Sequence, residues 1–150
     1  MKCSKVDFFI SIGIPGSGKT TLMQRLNGVR LSADDIREEL CGDISDQSRN
    51  GEVWELFYRR LGTLIEADCP RVIIDVTNAQ GDQRRKLLRF IRERCTSPFV
   101  AGFYLDVPFD VAKARNAARD RVVPEHVLDR MYRGLEDDPP TIRETTCLPR

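Results

Sequence analysis

At 150 residues, 41% hydrophobic and 31% charged, the chain has the balance of one soluble domain with a sizeable core. A formal net charge of +1 says little by itself, though a dedicated duplex-DNA binder would usually be more basic, and no run approaches the roughly 20 apolar residues of a membrane span. The N-terminal MKCSKVDFFISIG lacks a signal peptide's apolar core, and five scattered cysteines form no CxxC pair. With His126 the only histidine, zinc has little support; reduced thiols and a cytoplasmic location are the expectation.

In chain order, Val6 to Ile12 reads as a buried parallel strand. Gly13-Ile14-Pro15-Gly16-Ser17-Gly18-Lys19-Thr20 follows and matches GxxxxGK[ST] in full. Thr21, Leu22, Met23 and Leu26 continue it as a helix, and Val29 to Leu31 is a short candidate strand. Ser32 and Asp35 have capping-box-like spacing at the head of the next helix. Val53, Phe57, Leu61, Leu64 and Ile65 share one helical face, after a turn region at Ser48 to Gly51. Trp54, Phe57 and Tyr58 belong to that stripe and read as core rather than as a base-stacking platform.

Arg71 to Ile74 is the next strand, ended by Asp75, and Leu87, Leu88, Ile91 and Cys95 line the helix after it. Phe99 to Leu105 is a further strand, then Phe109 to Asp120 and Pro124 to Leu135 read as helices. Alternating strands and helices predict an α/β fold: a parallel sheet of four or five strands with helices on both faces. Ligands would bind at the strand carboxyl ends. Residues 1–138 form one domain on this reading, and residues 139–150 are a tail too short to be a second.

The chemistry starts at the glycine-rich loop. Glycines let successive N–H groups turn inward onto phosphate oxygens, so Gly16, Ser17 and Gly18 cradle a nucleotide, with Thr21 just beyond. Lys19 reaches the β- and γ-phosphates of ATP, and the Thr20 hydroxyl can ligate Mg²⁺. Asp75, emerging beside that loop, is the candidate acidic support for the same metal.

Asp34 and Arg37 stand three apart on one helical face. Two readings stay open: a general base beside an anion-holding guanidinium, or an acidic first turn with a surface arginine. Arg115 and Arg119 are four apart, with Arg121 just beyond and only Asn116, Ala117 and Ala118 between the first two. Beside a phosphate loop, such a cluster reads as a helical lid neutralising a transferring phosphoryl group. Residues 79–121 carry ten Lys/Arg against five Asp/Glu. Of these, Arg84, Arg85 and Lys86 suit either a nucleic-acid backbone or a solvated helix surface.

Four blocks in order, GIPGSGKTTL, LSADDIR, VIIDVTNA with QRR, and ARNAARDRVVPEHVLDRMY, resemble the kinase module of the polynucleotide 5′-kinases. These are adenylate-kinase-like P-loop phosphotransferases. The resemblance implies a P-loop kinase that uses ATP and Mg²⁺ to phosphorylate 5′-hydroxyl ends of DNA or RNA. It implies that Lys19 and Thr20 serve ATP and metal, and that Asp34 is the general base. Arg37 would contact the acceptor's phosphate, and Arg115 and Arg119 would grip the donor phosphates. Asp75 with Thr77 and Asn78 resembles the family's D-x-T-N signature. No DxDGT motif follows, so the phosphatase half of bifunctional end-healing enzymes is not expected in these residues. A kinase for a small hydroxyl acceptor (nucleoside, sugar or antibiotic) and a nucleotide-binding switch remain the alternatives.

Overall fold

Runs of β-branched and aromatic residues without polar alternation need cover on both faces, which a parallel sheet with crossover helices supplies. The computed structural model of the chain describes residues 6–141. It places β1 (Asp7–Ile12), β2 (Val29–Ser32), β3 (Arg71–Asp75) and β4 (Phe99–Tyr104) in one parallel sheet of order β2-β3-β1-β4. Phe8 is in register with both Val72 and Val100, and Leu31 with Ile74. The helices are α1 (Lys19–Met23), α2 (Ala33–Cys41), α3 (Asn50–Glu66), α4 (Gly81–Arg94), α5 (Phe109–Ala117) and α6 (Glu125–Asp137).

The strand order dictates the layers. The connection from β1 to β2 runs one way along the sheet, whereas those from β2 to β3 and β3 to β4 run the other way. Right-handed crossovers therefore put α1 on one face and α2, α3 and α4 on the opposite face. The second face carries the main core, where Phe8, Ile10, Val72 and Ile74 meet Ile36, Phe57, Leu61 and Ile91. At the carboxyl ends of the strands a second cluster joins Ile12 and Ile14 to Ala112, Leu128 and Leu135 of α5 and α6.

Boundaries differ from expectation at informative places. The helix after the phosphate loop ends at Met23 and gives way to tighter turns, Arg25 N donating to Leu22 O at 3.1 Å and Leu26 N to Met23 O at 3.2 Å. The fifth helix stops at Ala117 rather than near Asp120, for a reason that lies in the site below. Residues 142–150, most of the expected tail, lie outside the described residues, as do Cys3 and Cys147. Of the aromatic stripe, Phe57 is fully buried, but Trp54 and Tyr58 are only half-buried.

The basic run at the head of α4 divides by role. Arg84 is 2% exposed and donates to the carbonyls of Asn78 (3.0 Å), Ala79 (3.3 Å) and Asp138. It is a clamp between the loop after β3 and the end of α6, and so cannot track a nucleic-acid backbone. Arg85 and Lys86 stay on the surface, Arg85 paired with Asp138 and Asp82 and the Lys86 ammonium 4.9 Å from the Tyr58 ring centroid. Arg84→Met should strand those carbonyls in the interior and cost about 2–4 kcal/mol. Denaturant midpoints will check this; a change under about 0.5 kcal/mol would mean that the clamp contributes no more than a surface residue.

Candidate active site

The loops after β1 and β3 lie side by side because their strands are neighbours in the sheet. Gly13 N donates to Thr77 O at 2.9 Å, and Asn78 Nδ2 donates to Ser11 O at 2.9 Å. Asn78 holds a left-handed backbone (φ 48°), which asparagine tolerates better than most residues. The phosphate loop turns at Gly16 (φ 86°) and Gly18 (φ 92°), and Ser17 between them is buried. A Cβ on Gly16 would lie 2.3 Å from Ala112 O, so this glycine is also where α5 rests on the loop. Thr21 is exposed on the first turn of α1.

Lys19 and Thr20 open α1 from this loop. Part of Lys19 reaches solvent, yet its ammonium is enclosed enough that burial lowers its pKa. Asp75 and Asp34 pull it back up, while Arg119 and Arg121 push it down. Those four charges thus surround the same ammonium. The Thr20 hydroxyl donates to Asp75 Oδ1 at 3.5 Å. These hard oxygens beside a phosphate cradle fit Mg²⁺, which takes one or two protein oxygens and fills its shell with phosphates and water. Among the described residues no group of three or more His, Cys, Asp or Glu is placed to hold a metal by itself.

Arg30 is the residue that sequence reasoning missed. Asp75 is 4% exposed, and its Oδ2 accepts from Arg30 Nε at 2.9 Å and Nη2 at 2.7 Å. Arg30 Nη1 donates to Asp35 Oδ2 at 2.6 Å, so one guanidinium ties β3 to the head of α2. The capping box is therefore half made: Ser32 Oγ accepts from Asp35 N at 3.3 Å, but the Asp35 carboxylate goes to Arg30. The signal was the register, Ser32 beside Asp75 with Arg30 two residues earlier on the same side, which only the paired sheet reveals.

Asp34 stands at the mouth of the site. Its Oδ1 accepts from Arg37 Nη1 at 2.8 Å, and its Oδ2 lies 3.6 Å from Arg121 Nη1. Arg37 is 6% exposed; Nη2 donates to Asn50 Oδ1 at 2.9 Å, and Nε is buried with no partner. It is thus a brace behind Asp34 rather than the surface arginine of the structural alternative.

The lid differs most from expectation. Asn116, which the sequence marks only as lying between Arg115 and Arg119, is 4% exposed and takes the Val123 backbone at both groups: Nδ2 to O at 2.8 Å and Oδ1 from N at 3.1 Å. That bridge closes residues 117–123 into a loop and ends α5, so Arg119 does not continue the helical face of Arg115. Arg119 and Arg121 lie on the loop, near Lys19. Arg115 is exposed in the last turn of α5, and no hydrogen bond or ion pair among the described residues joins it to the phosphate loop. The cation facing Asp34 is Arg121.

A parallel α/β sheet with this loop at the end of β1 is the P-loop kinase fold. A family model described as an AAA domain matches residues 8–137, and the chain belongs to that family. Among solved structures, a chain of the Pnkp1/Rnl/Hen1 RNA repair complex is similar with TM-score 0.75 and 19% identity, over 91% of this chain and 45% of that one. This chain therefore spans less than half the length of that relative. A gluconokinase from Sinorhizobium meliloti 1021 is similar with TM-score 0.60 and 19% identity, over 95% of this chain and 81% of the other. A shikimate kinase from Bacteroides thetaiotaomicron gives TM-score 0.58 and 19% identity, over 93% and 83%. No helix among the described residues is long and apolar enough to cross a membrane.

Removing Arg30 leaves the buried Asp75 carboxylate without its guanidinium. Arg30→Met should cost about 3–5 kcal/mol, as for one half of a buried pair. Urea unfolding measures it; a loss under about 0.5 kcal/mol would show that the pair contributes no more than a surface contact.

Proposed function

We propose that this chain transfers the γ-phosphate of ATP to a hydroxyl group, and that the acceptor is the 5′-hydroxyl end of a DNA or RNA strand. The observation that carries this reading is Asp34, half-exposed between Arg37 and Arg121 and close enough to Lys19 to act on its charge. A nucleotide switch has no need of a braced carboxylate across from its phosphate loop.

The loop amides and Lys19 hold the donor phosphates, and Arg119 offsets charge that develops on the transferring group. Mg²⁺ carried by Thr20 and Asp75 would supply further charge neutralisation at the phosphates. Arg37 holds Asp34 through Oδ1, leaving Oδ2 to accept the proton of the attacking hydroxyl. Arg121, 28% exposed at its side chain, is the better placed of the two arginines to meet an acceptor phosphate, with Arg37 behind it. The four motif blocks favour a polynucleotide. The gluconokinase and shikimate kinase, whose own chains are covered more fully, favour a small acceptor. Cys41 and Cys69 are free thiols, which suit a reducing cytosol.

Lys19→Ala should lower turnover about 10²-fold or more, and Asp34→Asn about 10²- to 10⁴-fold while ATP still binds. Arg121→Ala should raise KM for a nucleoside 3′-monophosphate or an oligonucleotide but scarcely for a bare nucleoside. Equal losses on both would favour the small-acceptor kinase. The pH dependence has a fixed sign. Burial lowers the Lys19 pKa in the free protein, and bound phosphates raise it, so ATP binding takes up a proton between the two pKa values. Affinity should therefore fall as pH rises through the lowered pKa. Lys19→Met should flatten that limb in a calorimetric titration; an unchanged limb would assign it to another group.

A further inference from the structure

A cavity of about 140 Å³ opens between α3 and α4, at the carboxyl end of β3. Trp54 and Tyr58 line it from α3, Gln83 and Lys86 from α4, and Val76 and Asn78 from the loop that follows Asp75. The periodicity that assigned these aromatics to the core holds for Phe57, which is fully buried with its ring centroid 5.3 Å from that of Trp54. Trp54 and Tyr58 instead keep part of their surface on the cavity, their centroids 6.4 Å apart and their planes at 39°. Burial raises the pKa of Tyr58, so its hydroxyl stays protonated and available as a donor.

Position relates this cavity to the acceptor. Asn50, which accepts from Arg37 at 2.9 Å, precedes Trp54 by one turn on the same face of α3, about 6 Å along the axis. Val76 directly follows the buried Asp75. The cavity thus begins about one helical turn from the Arg37–Asp34 pair. Its chemistry is selective as well. The cavity opens to solvent, so a flat ring need seat only part of itself there, and aromatic faces stand beside two side-chain amides and an ammonium. The lining holds no carboxylate. A sugar acid would want several charged hydrogen-bond donors; a flat heterocycle wants these π-faces and an amide at its edge.

We propose that this cavity takes the base of the nucleotide that carries the reacting 5′-hydroxyl, stacked on Trp54 with the Tyr58 hydroxyl and the Gln83 amide at its edge. The proposal rests on the polynucleotide reading above and deepens it. Stacking makes little distinction among bases, because every base has a π-face, so the site tolerates sequence while requiring that a base be present. Lys86, beside the Tyr58 ring, adds a positive rim.

Trp54 is the only tryptophan, so its fluorescence reports on the cavity directly. The full chain is titrated with two 5′-hydroxyl oligonucleotides, one normal and one whose 5′-terminal residue is abasic, and KM is measured for each with ATP. The normal strand should quench Trp54 and the abasic strand should not, and the abasic KM should be higher by about 5- to 150-fold. Gln83→Ala and Lys86→Ala, both at exposed positions, should narrow that gap. Equal KM values with unmoved Trp54 emission would overturn the base site and leave the kinase reading standing. Phosphorylation of neither strand would overturn the polynucleotide reading, and this site with it.

Discussion

The bond from Gly13 N to Thr77 O, backed by Asn78 Nδ2 on Ser11 O, is the contact on which the rest of the site depends. It fastens the loop after β1 to the loop after β3, and it exists because those strands are neighbours in a parallel sheet. Without it Thr20 and Asp75 would belong to separate loops. With it they are within hydrogen-bonding reach, and a buried carboxylate faces the phosphate cradle. Arg30 and Arg84 then brace this junction from two sides. Arg30 neutralises Asp75 from β2, and Arg84 holds the carbonyls of Asn78 and Ala79 from α4.

The lid depends on the same loop by a different contact. Ala112 O approaches Gly16 too closely for any side chain, so α5 sits directly on the cradle. Asn116, one turn further along, captures Val123 and folds residues 117–123 back over the site. Arg121 thereby meets Asp34, which Arg37 holds from behind. On the proposed reading, donor side and acceptor side meet at this carboxylate. Movement of the loop at 117–123 would change the environment of Asp34 and Lys19 together.

Much of this was legible in the sequence. GxxxxGK[ST] after an apolar strand located the cradle, and the apolar runs located all four strands to within a residue or two. Asp75 was legible because it ends a strand whose neighbour carries the loop. Arg30 was not, since its role follows from a strand register that no local pattern encodes. Nor was the end of α5, because an asparagine that bonds a backbone seven residues away leaves no periodic trace. Helical spacing likewise placed Trp54 and Tyr58 on the core face without showing that this face runs out at a cavity. Charge counting misled at Arg84, where a cation counted as surface is buried against carbonyls.

The central claim, phosphoryl transfer to a polynucleotide end, is tested most directly by following the label from γ-labelled ATP with Mg²⁺. The panel would hold a 5′-hydroxyl oligonucleotide, a nucleoside, gluconate and shikimate. The account predicts label at the oligonucleotide 5′ end at rates well above those on the other three. Label carried only by a small acceptor, or released only as inorganic phosphate, would contradict it.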